Sequence, residues 1–375
     1  MQYGDCAVPA AVSDDARSFG DRVTHDVEST SDRAPRLVVV TGAGRSGTST
    51  VAGTLKHLGL AIPQPELGAD ATNPRGFFEP RWVVSFHKRL LLEAGVATLD
   101  ARPGAMRKVD AVARRPEVRR DLHEWLTQKV EPQFVIKDPR TFWLNSLWRD
   151  TTAELGVDLC LLTMLRHPAE VVGSRGAYYT KNRTDAERKA RETGLLAGWV
   201  NVALFNEQVF RGQQRVFVHY QDLLADWRTE ARRIGDALDL EFNTDLASGS
   251  PHPVDDFIDA KLHRVRATLW DLDVPDTLAR LAEDVWGCLM GLADKEGNHH
   301  DIAARMDRHR EEYDALFEHS KAMLHDATAA RIRQVRANTR RRVEKEMSQN
   351  GTPRPQVPRR IVEKARSVWS NRVQR

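Results

Sequence analysis

An apolar run that ends in a glycine-spaced turn, Leu37-Val38-Val39-Val40-Thr41-Gly42-Ala43-Gly44-Arg45-Ser46-Gly47-Thr48-Ser49-Thr50, restricts this part of the chain to a strand, a tight loop and a helix. Gly42, Gly44 and Gly47 allow the backbone to approach an oxyanion closely. The helix opening near Thr48 turns its unpaired N–H groups and the positive end of its dipole toward that anion. Gly44, Arg45, Ser46, Gly47, Thr48 and Ser49 are therefore the candidate anion ligands. The spacing from Gly42 to Gly47 fits the glycine frame of a Walker loop, but Thr48 stands where that motif has lysine. A kinase or ATPase needs the lysine on its β- and γ-phosphates. Here the loop cation is Arg45, ahead of Ser46, which suits a nucleotide with one terminal anionic group. The alternative is a strand-turn-helix corner with a structural role alone.

A second segment, Leu165-Arg166-His167-Pro168-Ala169-Glu170-Val171-Val172-Gly173-Ser174-Arg175, follows another apolar strand, Leu159 to Leu165. Arg166 ends the strand, Pro168 is placed to open a helix, and Ser174 lies two turns on, so a guanidinium and a hydroxyl can converge on a second phosphate. Two further segments stand between and after: Val135-Ile136-Lys137-Asp138-Pro139-Arg140 and Val216-Phe217-Val218-His219-Tyr220-Gln221-Asp222.

Taken together these segments resemble the sulfotransferase family that uses 3′-phosphoadenosine 5′-phosphosulfate (PAPS). The resemblance covers about residues 36–240 and is nearest to bacterial, particularly mycobacterial, members with a GAGRSGTS loop and an NPRGFFE segment. It implies a P-loop-like α/β fold, PAPS as donor and 3′-phosphoadenosine 5′-phosphate as product. In the family the first loop binds the 5′-phosphosulfate, and an arginine and a serine eight residues apart, the separation of Arg166 and Ser174, bind the 3′-phosphate. Tyr220 matches the tyrosine that touches adenine. The chain departs from the cytosolic animal branch in having Arg45 where those enzymes carry a loop lysine. The implied acceptor is a hydroxyl on a lipid-like, quinone-derived or glycolipid molecule, with carbohydrates and small aromatics open.

Sulfuryl transfer needs the leaving group neutralised, the sulfuryl group held in line and the acceptor hydroxyl deprotonated. Positioning and electrostatics supply most of this, so no metal is required. Lys137, ending its strand, can reach the transferring group; alternatively it pairs with Asp138 or caps a helix. Arg140 can equally pair with a carboxylate. For the base, Asn73-Pro74-Arg75-Gly76-Phe77-Phe78-Glu79-Pro80 supplies Glu79, and apolar neighbours would raise its pKa toward a useful value. Related bacterial enzymes are thought to use a glutamate in this region. The competing role is a carboxylate at a helix N-terminus. His87 is the second candidate base, because animal members use histidine; a structural role for a lone helical histidine is the alternative. Trp82, Trp143, Tyr178, Tyr179 and Trp199 are either acceptor-pocket or core residues.

Strand patterns at 36–41, 133–137, 157–165 and 215–220 alternate with helical ones near 48–58, 80–94, 118–130, 141–155, 168–180, 195–211 and 221–238. That alternation implies a mostly parallel sheet covered on both faces, with ligands at the carboxyl ends of its strands. Helical patterns at 275–293 and 302–346 make a C-terminal extension. The expected organisation is a disordered segment over 1–34, a sulfotransferase domain over 35–330 and a basic tail over 331–375. The tail carries 14 Arg and Lys against 3 Glu, a net of +11, which leaves −8 on residues 1–330 of a chain whose total is +3. Within it Ile361, Ala365, Val368, Trp369 and Val373 fall at helical spacing among basic residues, as in an interfacial helix; a solvated tail is the alternative. Nucleic acid is not expected, because no aromatic platform accompanies the charge. Three widely spaced cysteines, Cys6, Cys160 and Cys288, form no disulfide or zinc pattern, and Cys160 reads as a buried inert thiol. With no signal-peptide pattern at the N-terminus and no long apolar run, the expected location is the cytoplasm, with peripheral contact at the inner membrane surface through the tail. The competing functions are a P-loop-like nucleotide kinase and a non-catalytic nucleotide- or lipid-binding adaptor.

Overall fold

The computed structural model describes residues 33–70, 73–179, 184–258, 268–294 and 299–349. Four strands, β1 (Arg36–Thr41), β2 (Gln133–Lys137), β3 (Asp158–Leu165) and β4 (Arg215–His219), pair in the order β2-β1-β3-β4, all parallel. Alternation along β1 sends Leu37 and Val39 to one face and Val38 and Val40 to the other. The first face packs with Phe134, Ile136 and Leu161 under helices α2 (Arg81–Ala94), α3 (Ala105–Ala113) and α4 (Pro116–Thr127). The second packs with Val135, Cys160 and Leu162 under α1 (Thr48–His57) and the helix Trp227–Leu238. This is the expected α/β architecture: a parallel sheet flanked by helices, with further helices after it.

The register sets the carboxyl ends side by side, with Val40 opposite Lys137 and Thr41 opposite Thr163. The chain leaves β1 for β2 on one side and returns to β3 on the other, so a crevice opens beyond the end of β1.

Element boundaries differ from expectation where side chains cap or break helices. Helix α3 was not expected, although Met106, Val109 and Val112 already mark its apolar face. The pattern at 141–155 divides into a 3₁₀ turn, Thr141–Leu144, and α5 (Asn145–Glu154). Next come α6 (Pro168–Tyr179) and α7 (Asp185–Phe210), which starts ten residues early because Thr184 and Glu187 form a capping box. The run at 221–238 breaks at Asp226, whose carboxylate accepts from Thr229 N–H, giving α8 (Tyr220–Ala225) and α9 (Trp227–Leu238). A short α10 (Pro253–Phe257) precedes α11 (Asp276–Asp294). The stretch at 302–346 is two helices, α12 (His300–Met323) and α13 (His325–Gln349), and α13 runs across the expected boundary at 330.

Cys160 is fully buried, and burial pushes its thiol up to about 11, which suits an inert core residue. Among the described residues no helix is long and apolar enough to cross a membrane. The expected tail residues Ile361 to Val373 lie outside the described part of the chain, as does Cys6.

Helix α7 is fastened to β4 through a buried carboxylate. Glu207 is wholly buried; its Oε1 accepts from Arg215 Nη2 at 3.1 Å and its Oε2 from Arg211 Nη2 at 2.5 Å, while Arg211 also bridges to Asp307 of α12. Removing one member of such a cluster strands a desolvated charge. Glu207→Ala is therefore expected to cost about 3–5 kcal/mol in urea unfolding. A loss under about 1 kcal/mol, the range of a solvated pair, would contradict this account.

Candidate functional site

The glycine loop between β1 and α1 adopts backbone angles that side chains rarely tolerate. Gly47, at φ +89°, is the N-cap of α1, and a Cβ there would meet Tyr220 Cδ2 at 2.2 Å. Gly42, at φ +129°, lies against the Met164 carbonyl, with room for no side chain. Arg45 holds φ +83° without being glycine, and Phe78 holds +56°. Such conformations cost of order 1 kcal/mol each and persist where the surroundings impose them. Both residues line the same cleft; the third case, Asp239, is simply the C-cap of α9. No side chain caps α1, so its first N–H groups face the loop.

The cleft has a volume of about 410 Å³, within the range of small-molecule sites. It is lined by Gly44, Arg45, Gly47, Thr48 and Ser49 from the loop. Glu79, Lys137, Arg166, Ser174 and Tyr220 complete it from four other parts of the chain. Ser46 is buried behind the loop and lines a separate cavity of about 30 Å³, together with Trp199. That space suits a water and not an acceptor.

Arg45 and the second motif are joined directly. Arg45 Nε donates to Ser174 Oγ at 3.1 Å, and Arg166 Nη1 donates to the Arg45 carbonyl at 3.0 Å. Arg166 Nε donates to Glu170 Oε2 at 2.8 Å, and the guanidinium lies 5.2 Å from the centre of the Tyr220 ring. The loop arginine, the strand-end arginine and the serine eight residues on thus form one connected cluster.

Lys137 Nζ, 3% exposed, donates to Glu79 Oε1 at 2.6 Å, to Ser49 Oγ at 3.0 Å and to the Phe77 carbonyl at 3.2 Å. All three ammonium protons are used. Glu79 is consequently a paired carboxylate and not one isolated among aromatic rings. Helix α2 starts at Arg81 with no side-chain cap, so Glu79 does not cap it. Lys137 pairs with Glu79 and not with its neighbour Asp138.

Asp138 is wholly buried; it accepts from Arg140 Nη1 at 2.8 Å, and His87 Nδ1 faces it at 3.4 Å, long for a hydrogen bond. Burial alone would raise this carboxyl, but the imidazole and the Arg140 guanidinium outweigh it and hold it below the usual carboxylate range. His87 is also wholly buried, and its Nε2 accepts from Trp148 Nε1–H at 3.0 Å. That bond occupies the Nε2 lone pair, so the neutral ring carries its proton on Nδ1, toward Asp138. His87 does not line the cleft. The signal was present in sequence: His87 lies on the apolar face of α2 with Val83, Val84, Phe86 and Leu90.

The aromatic candidates for an acceptor pocket resolve similarly. Trp82 stacks between Phe86 and Trp125, and Trp143 is buried with Nε1–H on the Thr98 carbonyl. The side chains of Tyr178 and Tyr179 lie outside the described part. Instead Phe77, Phe78 and Phe257 form the apolar wall, and Phe257 was missed because it comes from the distant α10.

The fold is a P-loop-like α/β sheet with this cleft at the carboxyl ends of its strands. A family model described as "Sulfotransferase family" matches residues 35–244, more than half of the chain, and the chain belongs to that family. Three solved structures are similar at low identity. The sulfotransferase domain of the Synechococcus PCC 7002 olefin synthase is 16% identical, covering 72% of this chain and 98% of its own, at a TM-score of 0.35. Sulfotransferase STF1 from Mycobacterium tuberculosis H37Rv is 15% identical, covering 68% and 77%, at 0.38. The sulfotransferase domain of the curacin biosynthetic pathway is 13% identical, covering 75% and 98%, at 0.34. No curated protein matches the sequence.

With its ring nitrogens turned to Trp148 and Asp138, His87 acts through stability. His87→Ala removes the partner of a buried indole N–H and leaves a cavity, so a loss of about 2–4 kcal/mol in chemical denaturation is expected, with residual folded protein still turning over. Selective loss of turnover at unchanged stability would overturn the structural assignment.

Proposed function

We propose that this sulfotransferase takes the sulfonate from PAPS and passes it to the hydroxyl of a small apolar acceptor, such as a lipid, quinone-derived or glycolipid alcohol. The observation that carries the reading is the meeting in one cleft of the uncapped loop, the Arg45–Ser174–Arg166 cluster and the Lys137–Glu79 pair. Gly44, Arg45 and Gly47 to Ser49 cradle the 5′-phosphosulfate through backbone N–H groups and the Arg45 side chain, with Ser46 supporting the loop from behind. Arg166 and Ser174 take the 3′-phosphate, and the Tyr220 ring, packed beneath Gly47, meets the adenine. Phe77, Phe78 and Phe257 favour an acceptor with an apolar body.

Glu79 takes the proton from the acceptor hydroxyl as its oxygen attacks sulfur. The bond from sulfur to the bridging phosphate oxygen breaks, and its electron pair leaves on 3′-phosphoadenosine 5′-phosphate. Lys137 offsets the charge that grows on the sulfonate and bridging oxygens, in a site with little water to screen it. Substrate cations are not needed for this balance. Thr48 in the Walker-lysine position argues against the nucleotide-kinase alternative, and turnover separates the enzyme from an adaptor.

Arg166→Ala should weaken 3′-phosphoadenosine 5′-phosphate by about ten- to a hundredfold, the loss of a charge-assisted contact of about 1.5–3 kcal/mol. Adenosine 5′-phosphosulfate, which lacks the 3′-phosphate, should be little affected in the same calorimetric titration. Equal losses for both ligands would sink the assignment.

Glu79→Gln keeps the shape and the acceptor oxygen for Lys137 but removes the base. Turnover, read as sulfonate gain on the acceptor by intact mass, should fall on the order of 10²–10⁴-fold with donor affinity nearly unchanged. Near-normal turnover discards Glu79 as the base.

A further inference from the structure

Helix α13 is long, water-facing and strongly basic. Every side chain from residue 330 to 346 is exposed. Residues 331–346 carry seven Arg and Lys against two Glu, a net of +5. Among these charges Ile332, Val335 and Val343 are 47%, 49% and 42% exposed.

At 3.6 residues per turn these three fall within an arc of about 80°, with Thr339 and, in the last turn, Glu346 among them. Arg331 and Arg342 stand on one shoulder of the arc, and Arg336 and Arg340 on the other. The ion pairs Arg340–Glu344 and Arg342–Glu346 join exposed groups, at 3.0 and 3.5 Å, and are weak enough to exchange for other anions. Where α12 gives way to α13, Met323 and Leu324 are also 79% and 60% exposed.

We propose that α13 docks on an anionic lipid surface, with Ile332, Val335 and Val343 at the headgroup boundary and the flanking arginines on lipid phosphates. Charge selects this occupant. A second copy would bring another helix of +5 against the first, and a polynucleotide would use the arginines while leaving the aliphatic arc in water. A bilayer interface satisfies both halves of the helix. The sequence placed this contact in the tail as a whole, residues 331–375, with Ile361 to Val373 as its apolar part; the proposal assigns it to α13, independently of which acceptor the cleft uses.

Full-length protein is co-sedimented with vesicles of phosphatidylcholine alone or with about one third phosphatidylglycerol. Binding is expected only to the anionic vesicles, and is expected to weaken steeply as salt rises from about 0.1 to 0.5 M. Two exposed-face variants localise it. Arg336→Gln with Arg340→Gln and Arg342→Gln should weaken binding about a hundredfold, at roughly fivefold per cation. Ile332→Ser with Val335→Ser and Val343→Ser should weaken it at least about tenfold. None of these six side chains is in the core, so melting temperatures should match the native protein. No binding at low salt overturns the proposal. Native-like binding by both variants overturns it too, by placing the contact elsewhere. Loss in the arginine variant alone, with equal retention of duplex RNA by the serine variant, identifies a polyanion site instead of a membrane helix.

Discussion

A desolvated ammonium must be met by acceptors, and the way Lys137 is met organises the centre of this protein. Its three bonds reach Ser49 at the start of α1, the Phe77 carbonyl and the Glu79 carboxylate. One residue at the end of β2 therefore ties the phosphate-type loop to the 73–80 segment. The segment itself is held from its other side: Asn73 donates to Ser49 and to the Gly76 carbonyl, and Arg75 donates to the carbonyls of Asp256 and Phe257. Truncating Lys137 would leave a buried carboxylate unpaired, which makes its effects on stability and on chemistry inseparable without the Glu79 partner variant.

Behind this pair lies a second layer built from the next residue in sequence. A strand turns successive side chains to opposite faces, so Lys137 and Asp138 cannot serve the same site as the strand ends. Lys137 enters the cleft, and Asp138 goes into the core with His87 and Arg140. The Asp138 carboxylate also accepts from the Arg140 backbone N–H and so fixes the turn that follows β2. A two-residue stretch thus supplies both a cleft cation and the buried anion that shapes the loop behind it.

The fold was legible because period-2 and period-3.6 apolar patterns alternate cleanly between residues 36 and 238, and parallel strands in that arrangement leave few topologies. Much of the cleft was legible for the same reason. Gly42, Gly47 and Arg166 sit at strand ends, where an α/β sheet gathers its ligands. What sequence could not show was pairing between distant residues. Lys137 with Glu79 spans 58 positions, and Phe257 reaches the cleft from 180 residues beyond Phe77, with no local pattern to announce either. The roles of Glu79 and His87 turned on such partners: a carboxylate next to two phenylalanines looked apolar, and a histidine two turns into a helix looked available. Burial and hydrogen bonding reversed both appearances.

The cations of the cleft share one further property. Arg45 is on Ser174, Arg166 on Glu170 and Lys137 on Glu79. Cations gathered without partners would repel one another in a poorly screened space, so internal pairing offsets that repulsion. A phosphate entering such a site exchanges or shares partners that are already good, and the affinity gained is a difference between two sets of hydrogen bonds. Residues that appear to compete with the ligand, Glu170 above all, also fix the guanidinium in the plane that a phosphate would meet. The same cluster that stabilises the cleft thereby sets the geometry that an anion would meet there, and neither property can be altered by substitution without altering the other.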